Sequence, residues 1–308
     1  MDKEVFNKRK IIVWGNTIFT KEILSTLYES SQCEIYAITN LTAKNPVLEY
    51  SNQHGIKTFS FDKLDESAFH EIETINPDLS IVIAYGRIIP LNFLDLPKFG
   101  SINIHGSLLP DLRGATPVQT ALLKGYKKTG VTLQKMVYQM DAGDILNKYE
   151  VQINIDDNAE FLMRKLSKVT TDDLINFLNN LFSNKIIPIP QDESKATICK
   201  IKDFSREKGE IDWNDLSTNI HNKIRAFYPE PTAWLRFQNK VINFYSSKMT
   251  EVKSQSQPGE FILREKRFFV STQDNDLEIL ELVLEGKKKM SGKDFANGYL
   301  RNSGELKV

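Results

Sequence analysis

Asn103 and His105 stand two residues apart where an apolar run turns polar, in the stretch SINIHGSLLPDLRGATP. Side chains two apart on a β-strand point to the same face, so the amide and the imidazole would share one side of a strand end. An asparagine amide donates hydrogen bonds to an oxyanion. A protonated histidine does the same and can also transfer a proton. Further along, YQMDAGDIL sets Asp141 and Asp144 around Gly143. Asp141 beside His105 would pair with the charged imidazole and could take up a proton, directly or through water. Two oxyanion donors and a carboxylate for proton handling suit acyl transfer. No serine or cysteine nucleophile is evident, so the attacking group would belong to the substrate, an amine for example.

Such groups need a scaffold that brings a strand end to a distant turn. The first half of the chain alternates strand and helix patterns. KIIVWG is an apolar run ending in glycine, and FTKEILSTLYES carries Phe19, Ile23, Leu24 and Leu27 at helical spacing. CEIYAIT is a second strand, and NPVLEYSNQHG a helix closed by Gly55. KTFSF is a short strand, and DESAFHEIETIN a helix capped by Asp65. LSIVIAYG is apolar throughout, as a central parallel strand buried on both faces requires. SINIH is the strand after it. Repeated βα units predict an α/β fold, a doubly wound, mostly parallel Rossmann-like sheet. Ligands bind such sheets beyond the carboxyl ends of the strands, where LSIVIAYG and SINIH end.

The second half differs. NAEFLMRKLSKVTTDDLINFLNNLF predicts a long amphipathic helix with Phe161, Leu162, Leu166, Val169, Leu174, Phe177, Leu178 and Leu181 as its apolar positions. SNKIIPIPQDESKAT reads as a linker or edge segment. After it come one helix, LSTNIHNKIRAF, and the short strands TAWLRFQ, KVINFYSSK, GEFILRE, RFFVSTQ and LEILELVLE, which predict a small OB-like β-barrel. The expected division is a catalytic domain over 1–185, a linker over 186–203 and a C-terminal β-barrel domain over 204–308.

Charge sets further bounds. Forty basic residues balance forty acidic ones in a chain of 308, so no global field marks a nucleic-acid or membrane-surface binder. Cys33 and Cys199 show no metal-ligand spacing and no disulfide framework. The first residues, MDKEVFNKRK, lack an apolar signal core, and no segment reaches the ~18 apolar residues that span a bilayer. The expectation is a cytoplasmic protein without a membrane partner. WGNTIFTKE has a single glycine, Gly15, where a dinucleotide fold needs G-x-G-x-x-G, which counts against a nicotinamide oxidoreductase.

Asn103-Ile104-His105 followed by GSLLP, RGATPVQTALLKG, TGVTLQKM and MDAGDIL resembles the core of the formyltransferases that use 10-formyltetrahydrofolate. LSIVIAYGRIIP and FGSINIHGSLLP resemble the same family's strand, loop and strand. DFSREKGEIDWN, IRAFYPEPTAW and GKKKMSGKDFANG resemble the C-terminal domain of its methionyl-tRNA branch, so the likeness covers nearly the whole chain. The resemblance implies Asn103, His105 and Asp141 as catalytic residues. It implies folate contacts from the loop Ala84, Tyr85, Gly86, Arg87, Ile88, Ile89 and Pro90, from Ser107, Leu108, Leu109 and Pro110, and from Asp144. The implied reaction moves the formyl group of 10-formyltetrahydrofolate to the α-amine of initiator methionyl-tRNA, with no metal and a monomeric enzyme.

Two features depart from that branch. Its strand-to-helix connection after the second strand is usually a glycine-rich, basic insertion that engages tRNA. Here ITNLTAKNPVLEYSNQHG offers only Lys44. Asp111 stands where a basic residue is common, while Arg113 is retained. A sugar-nucleotide N-formyltransferase, which shares the Asn, His and Asp core, is the nearest alternative. A non-catalytic RNA-binding module would have no reason to keep the triplet. Contacts to tRNA phosphates would come from Arg206, Lys208, Arg264, Lys266, Arg267 and Lys287 to Lys289. His54, His70 and His221 read as surface or packing residues, Trp213 and Trp234 as core anchors, and Phe268 and Phe269 as one buried and one exposed strand position.

Overall fold

The computed structural model describes residues 8–42, 44–237 and 239–300. The first seven residues, read above as lacking a signal core, and the last eight, inside the expected barrel range, lie outside the described residues, as does Gln238 at the end of TAWLRFQ. The chain divides into two compact units. One comprises Met1–Ala115, Lys128–Gln152 and Met163–Ile198, the other Thr116–Lys127, Ile153–Leu162 and Cys199–Val308.

The first unit is built on β1 (Arg9–Trp14), β2 (Cys33–Ile38), β3 (Lys57–Phe59), β4 (Leu79–Val82) and β5 (Ser101–His105), then, beyond the two-residue β6 (Arg113–Gly114), β7 (Lys128–Lys135) and β8 (Ile145–Gln152). The sheet order is β3-β2-β1-β4-β5-β7-β8. Its first five strands run parallel, and β7 and β8 are antiparallel additions. The order reverses between β1 and β4, a switch point of the kind that opens a crevice. Gly15 sits there because nothing larger fits: a Cβ would lie 2.2 Å from Ile83 O.

Local signals account for the helices. Thr17 and Thr20 cap α1 (Ile18–Ser30) reciprocally. Asn45 accepts from Val47 N and Leu48 N ahead of α2 (Pro46–His54), which Gly55 ends at φ 65°. Asp65 accepts from Ala68 N to start α3 (Glu66–Glu73). α4 (Leu91–Asp95) follows Pro90. All four residues of β4 are buried, as a strand covered on both faces requires. Trp14, Ile38, Ile72, Val82, Tyr85 and Phe93 share one core cluster, with Trp14 edge-on to Tyr85 at 5.3 Å between ring centroids.

The long helix is α6 (Ala159–Phe182). Leu162, Leu166, Leu174, Phe177 and Leu178 are buried, but Phe161 is 53% exposed, contrary to expectation. One residue is about 100° of helical turn, and the helix turns Leu162 inward instead.

The second unit holds α5 (Pro117–Leu123), α7 (Ser217–Ala226) and an antiparallel sheet. Its strands are β10 (Ala233–Phe237), β11 (Lys240–Lys248), β12 (Phe261–Arg264), β13 (Arg267–Val270) and β14 (Leu277–Leu284), ordered β10-β11-β14-β13-β12, with β15 (Met290–Ser291) on β14. Shorter elements include β9 (Ile198–Cys199) and α8 (Gly292–Phe295). Trp213 and Trp234 are buried as expected. Phe268 and Phe269, expected one in and one out, are both buried. Phe268 packs on Phe261 and Phe295, each at 5.0 Å. Phe269 is covered from the other side by the guanidiniums of Arg264 and Arg267, at 5.0 and 5.2 Å. Several of the candidates for phosphate contact are engaged within the unit. Arg264 pairs with Asp276, Arg267 with Glu278 and Lys289 with Glu281. Arg206 donates to Pro231 O, Thr232 Oγ1 and Asn243 Oδ1 while lying over Trp234. Lys208, Lys266, Lys287 and Lys288 remain exposed.

His221 on α7 is buried, with Nδ1 2.9 Å from Ser247 Oγ and Nε2 2.9 Å from Ile155 O. Burial pushes its pKa below the ordinary 6.5, and the charge of Arg225 adds to that, against opposing contributions from Ile155 O and Asp156. A depressed histidine pKa means that the unfolded chain binds the proton first. The stability it protects is therefore complete above pH 6.5 and declines as pH falls below that value. The fall in melting temperature between pH 7.5 and 5.5 is expected to shrink in His221→Gln; an identical fall in both proteins refutes the linkage.

Candidate active site

β5 and β7 pair so that Asn103 lies opposite Gln134 and His105 opposite Thr132. Val82, the last residue of β4, lies opposite Asn103 on the other side. The cluster therefore forms where β4 and β5 end, beside the antiparallel β7.

Its centre is the Asp141 carboxylate. Asn103 Nδ2 donates to Oδ1 at 3.1 Å and Gln134 Nε2 to the same oxygen at 3.0 Å. Gly114 N donates to Oδ2 at 2.8 Å. His105 Nδ1 lies 3.6 Å from Oδ2. On the far side of the ring, Nε2 is 2.9 Å from Leu112 O. A carbonyl only accepts, so Nε2 carries a hydrogen and Nδ1 is the nitrogen turned to the carboxylate. Asp141 is 12% exposed and His105 7% by side chain, so the group works largely away from bulk water.

The Asp141 turn is held by close backbone approach. Asp141 has φ 52° and Leu112 φ 58°, both in the left-handed region that costs a non-glycine residue of order 1–3 kcal/mol. Lys135 N donates to Asp144 O at 2.9 Å, closing the turn. Gly143 fits beneath it, where a Cβ would stand 1.8 Å from Lys135 O.

The sequence reading anticipated Asn103, His105 and Asp141, and the structure brings them together. It missed Gln134, Gly114 N and Gln191. Gln191 Nε2 lies 2.8 Å from Asp141 O, 2.7 Å from Gly143 O and 3.2 Å from Gln134 Oε1. Gln134 was detectable: Thr132 and Gln134, alternating with Val131 and Leu133, repeat the two-residue polar spacing that singled out Asn103 and His105. Gln191 had no such signal.

The residues expected at the folate site lie at the same edge of the sheet. The loop from Ala84 to Pro90 leaves β4 directly. Ala84 at φ 46° and Gly86 at φ 77° turn it. Tyr85 and Ile89 are buried in the core, Ile88 is 89% exposed, and Pro90 leads into α4. Arg87 donates to Phe61 O and Asp62 O, at 2.5 Å each. Burial pushes the Tyr85 hydroxyl pKa up, opposed by Arg87. Ser107 is buried, with its hydroxyl spent on Asp111 O, and Leu109 is fully buried. Any ligand contact from those two is therefore main-chain, while Leu108, Pro110 and Asp144 are half-buried. Asp111 accepts a hydrogen bond from Thr197 Oγ1.

Asn16 ties three loops at this edge. Its Nδ2 donates to Tyr85 O at 3.1 Å, and its Oδ1 accepts from Thr39 Oγ1 at 2.8 Å and Asn40 N at 2.7 Å. The connection after β2 is short, as the sequence suggested. Among the described residues, no group of three or more His, Cys, Asp or Glu side chains could hold a metal, and no helix is long and apolar enough to cross a membrane.

Residues 9–178 match the family described as formyl transferase, and residues 203–300 match the formyl transferase C-terminal domain. The methionyl-tRNA formyltransferase of Bacillus velezensis is 35% identical over 309 residues, covering 96% of this chain and 97% of its own. That of Leptospira interrogans is 35% identical over 314 residues, covering 96% and 99%. In fold, the chain is similar to an N-formyltransferase from Helicobacter canadensis, solved with folinic acid and dTDP-3-aminofucose. That likeness has a TM-score of 0.69 at 21% identity, over 88% of this chain and 98% of the other.

Gly143→Ala is expected to displace the Asp141 turn, because the new methyl group meets backbone and not a flexible side chain. Activity should fall at least about 100-fold, the cost of misplacing a reacting group by roughly 1 Å, with circular dichroism unchanged. Normal turnover in this variant would show that the turn adapts freely.

Proposed function

We infer the chemistry of this site from one premise: the chain belongs to the formyl transferase family. It transfers the formyl group of 10-formyltetrahydrofolate to the α-amine of methionyl-tRNA; its full-length relatives carry the name methionyl-tRNA formyltransferase. The observation that carries the reading is the convergence of Asn103, His105 and Asp141 at one strand end.

The α-amine attacks the formyl carbon. A new C–N bond forms, and the carbonyl oxygen takes on negative charge. Asn103 spends one amide hydrogen on Asp141 and has a second to give that oxygen. His105 lies on the same face of β5, held between Leu112 O and the Asp141 carboxylate, and as an imidazolium it stabilises that oxygen by its charge. Asp141 orients the Asn103 amide and the imidazole and takes up the proton that the attacking nitrogen sheds. The intermediate collapses with cleavage of the bond to N10 of the folate. A proton returns to that nitrogen, and tetrahydrofolate leaves.

The folate lies along Ala84–Pro90 and Ser107–Pro110, held through backbone groups, with Asp144 at the rim. This fits the burial of Ser107, Leu109 and Tyr85, whose side chains are committed elsewhere. The exposed Lys208, Lys266, Lys287 and Lys288 supply counter-charge for the acceptor's phosphates. The enzyme is read as a monomer that works in the cytoplasm, where its acceptor is used.

Purified protein with 10-formyltetrahydrofolate, offered methionyl-tRNA and a dTDP-linked amino sugar side by side, is expected to formylate the tRNA. Modification of the sugar alone would overturn the acceptor assignment. Asn103→Ala is expected to lower kcat about 100- to 1000-fold by removing one oxyanion donor; a near-normal rate would make Asn103 structural.

A further inference from the structure

The segment 186–203, read from sequence as a linker, enters the site. Ile189 pairs with Ile145 in an isolated antiparallel bridge at the edge strand β8. Two residues on, the Gln191 amide faces the Asp141 turn. Its oxygen accepts from Arg113 Nε at 3.2 Å and Arg113 Nη2 at 2.8 Å. Arg113 is buried and grips Glu193 with two nearly parallel bonds of 2.9 and 2.7 Å. That guanidinium holds the exposed Glu193 carboxyl below its ordinary range. Thr197 Oγ1 donates to the Asp111 carboxylate, and Arg113 N donates to Thr197 O at 2.8 Å. The strap is thus seated along its length on residues 111–113, which also carry Leu112 O, the partner of His105.

We propose that Gln191 is a positioning residue for the transfer reaction, holding Asp141 in its left-handed conformation by donating to the two carbonyls of its turn. The proposal rests on the catalytic role given to Asp141 above. The amide oxygen fixes which way round Gln191 sits: with Arg113 donating to it, the nitrogen must face Asp141 O and Gly143 O. The two amide hydrogens are therefore directed at backbone acceptors on either side of Ala142. The same nitrogen lies within reach of Gln134 Oε1, and Gln134 in turn donates to Asp141 Oδ1. Backbone and carboxylate of Asp141 are fixed through one side chain. Arg113 is the support of that side chain and does not serve as a phosphate ligand for the acceptor, since its Nε, Nη1 and Nη2 all have partners on the strap.

The discriminating substitution is Gln191→Glu, which keeps size and the contact to Arg113 but turns an oxygen to the two carbonyls. Gln191→Ala, which removes the amide entirely, is the second variant. Each is made in the wild-type and in the Asp141→Asn background. We measure melting temperature and the kcat and KM for 10-formyltetrahydrofolate and methionyl-tRNA. In the wild-type background, kcat should fall about 10- to 100-fold, with both KM values within about twofold and the fold retained. In the Asp141→Asn background, the same changes should cost almost nothing more, because residues acting through one group are not additive. An equal, multiplying loss in both backgrounds overturns the proposal, since Gln191 would then act independently of Asp141. So does a normal kcat in both variants while Asp141→Asn is crippled. A near-normal rate in Asp141→Asn alone would instead sink the catalytic reading itself, and this inference with it.

Discussion

A carboxylate that takes hydrogen bonds from three separate segments of the chain is the constraint on which this site turns. Asp141 is mostly buried, and a buried charge is tolerated only when it is well hydrogen-bonded. Asn103 on β5, Gln134 on β7 and the main chain at Gly114 each supply a donor. Meeting that need fixes the positions of the polar groups around it. The amide of Asn103 is oriented, the imidazole of His105 is sandwiched between carboxylate and carbonyl, and the turn bearing Asp141 is held against β7. The left-handed backbone at Asp141 and Leu112 persists because the surroundings over-determine it. Few conformations satisfy all of these bonds at once, so the same network that neutralises the burial cost also pre-organises the site.

How far the sequence told this story depended on the range of the interaction behind each feature. Helix caps at Thr17, Asn45 and Asp65 were local, and Asp65 and Gly55 were identified as cap residues before the structure. The parallel strands showed themselves as apolar runs, and Asn103 and His105 as an interruption of one of them. Asp141 drew attention through a turn motif, and its pairing with His105 rested on chemistry and on family likeness. Gln191 stayed hidden because its contacts to the Asp141 turn are to backbone carbonyls, which every residue possesses and no pattern marks. Phe161 was misjudged by one step of helical phase. Phe269 was misjudged because its cover is two arginine side chains and not apolar residues. Those arginines, candidates for phosphate contact by sequence, pair with Asp276 and Glu278.

The second unit shows how charge balance by number differs from charge availability. Arg264, Arg267 and Lys289 on and beside its sheet are paired with Asp276, Glu278 and Glu281, so part of its formal charge is satisfied internally. Lys208, Lys266, Lys287 and Lys288 stay exposed, and lysine behaves as a mobile point charge suited to a flexible polyanion more than to one fixed geometry.

Gln191 lies 50 residues beyond Asp141 in the chain, with all of α6 between them. On a ribosome the chain grows from its N-terminus, so β1 to β8 can assemble before Gln191 and Glu193 have been made. Acquisition of shape and acquisition of competence are then separate events in the life of the molecule. A nascent polypeptide halted within α6 would own Asn103, His105 and Asp141 and still lack the amide that bonds to the Asp141 turn.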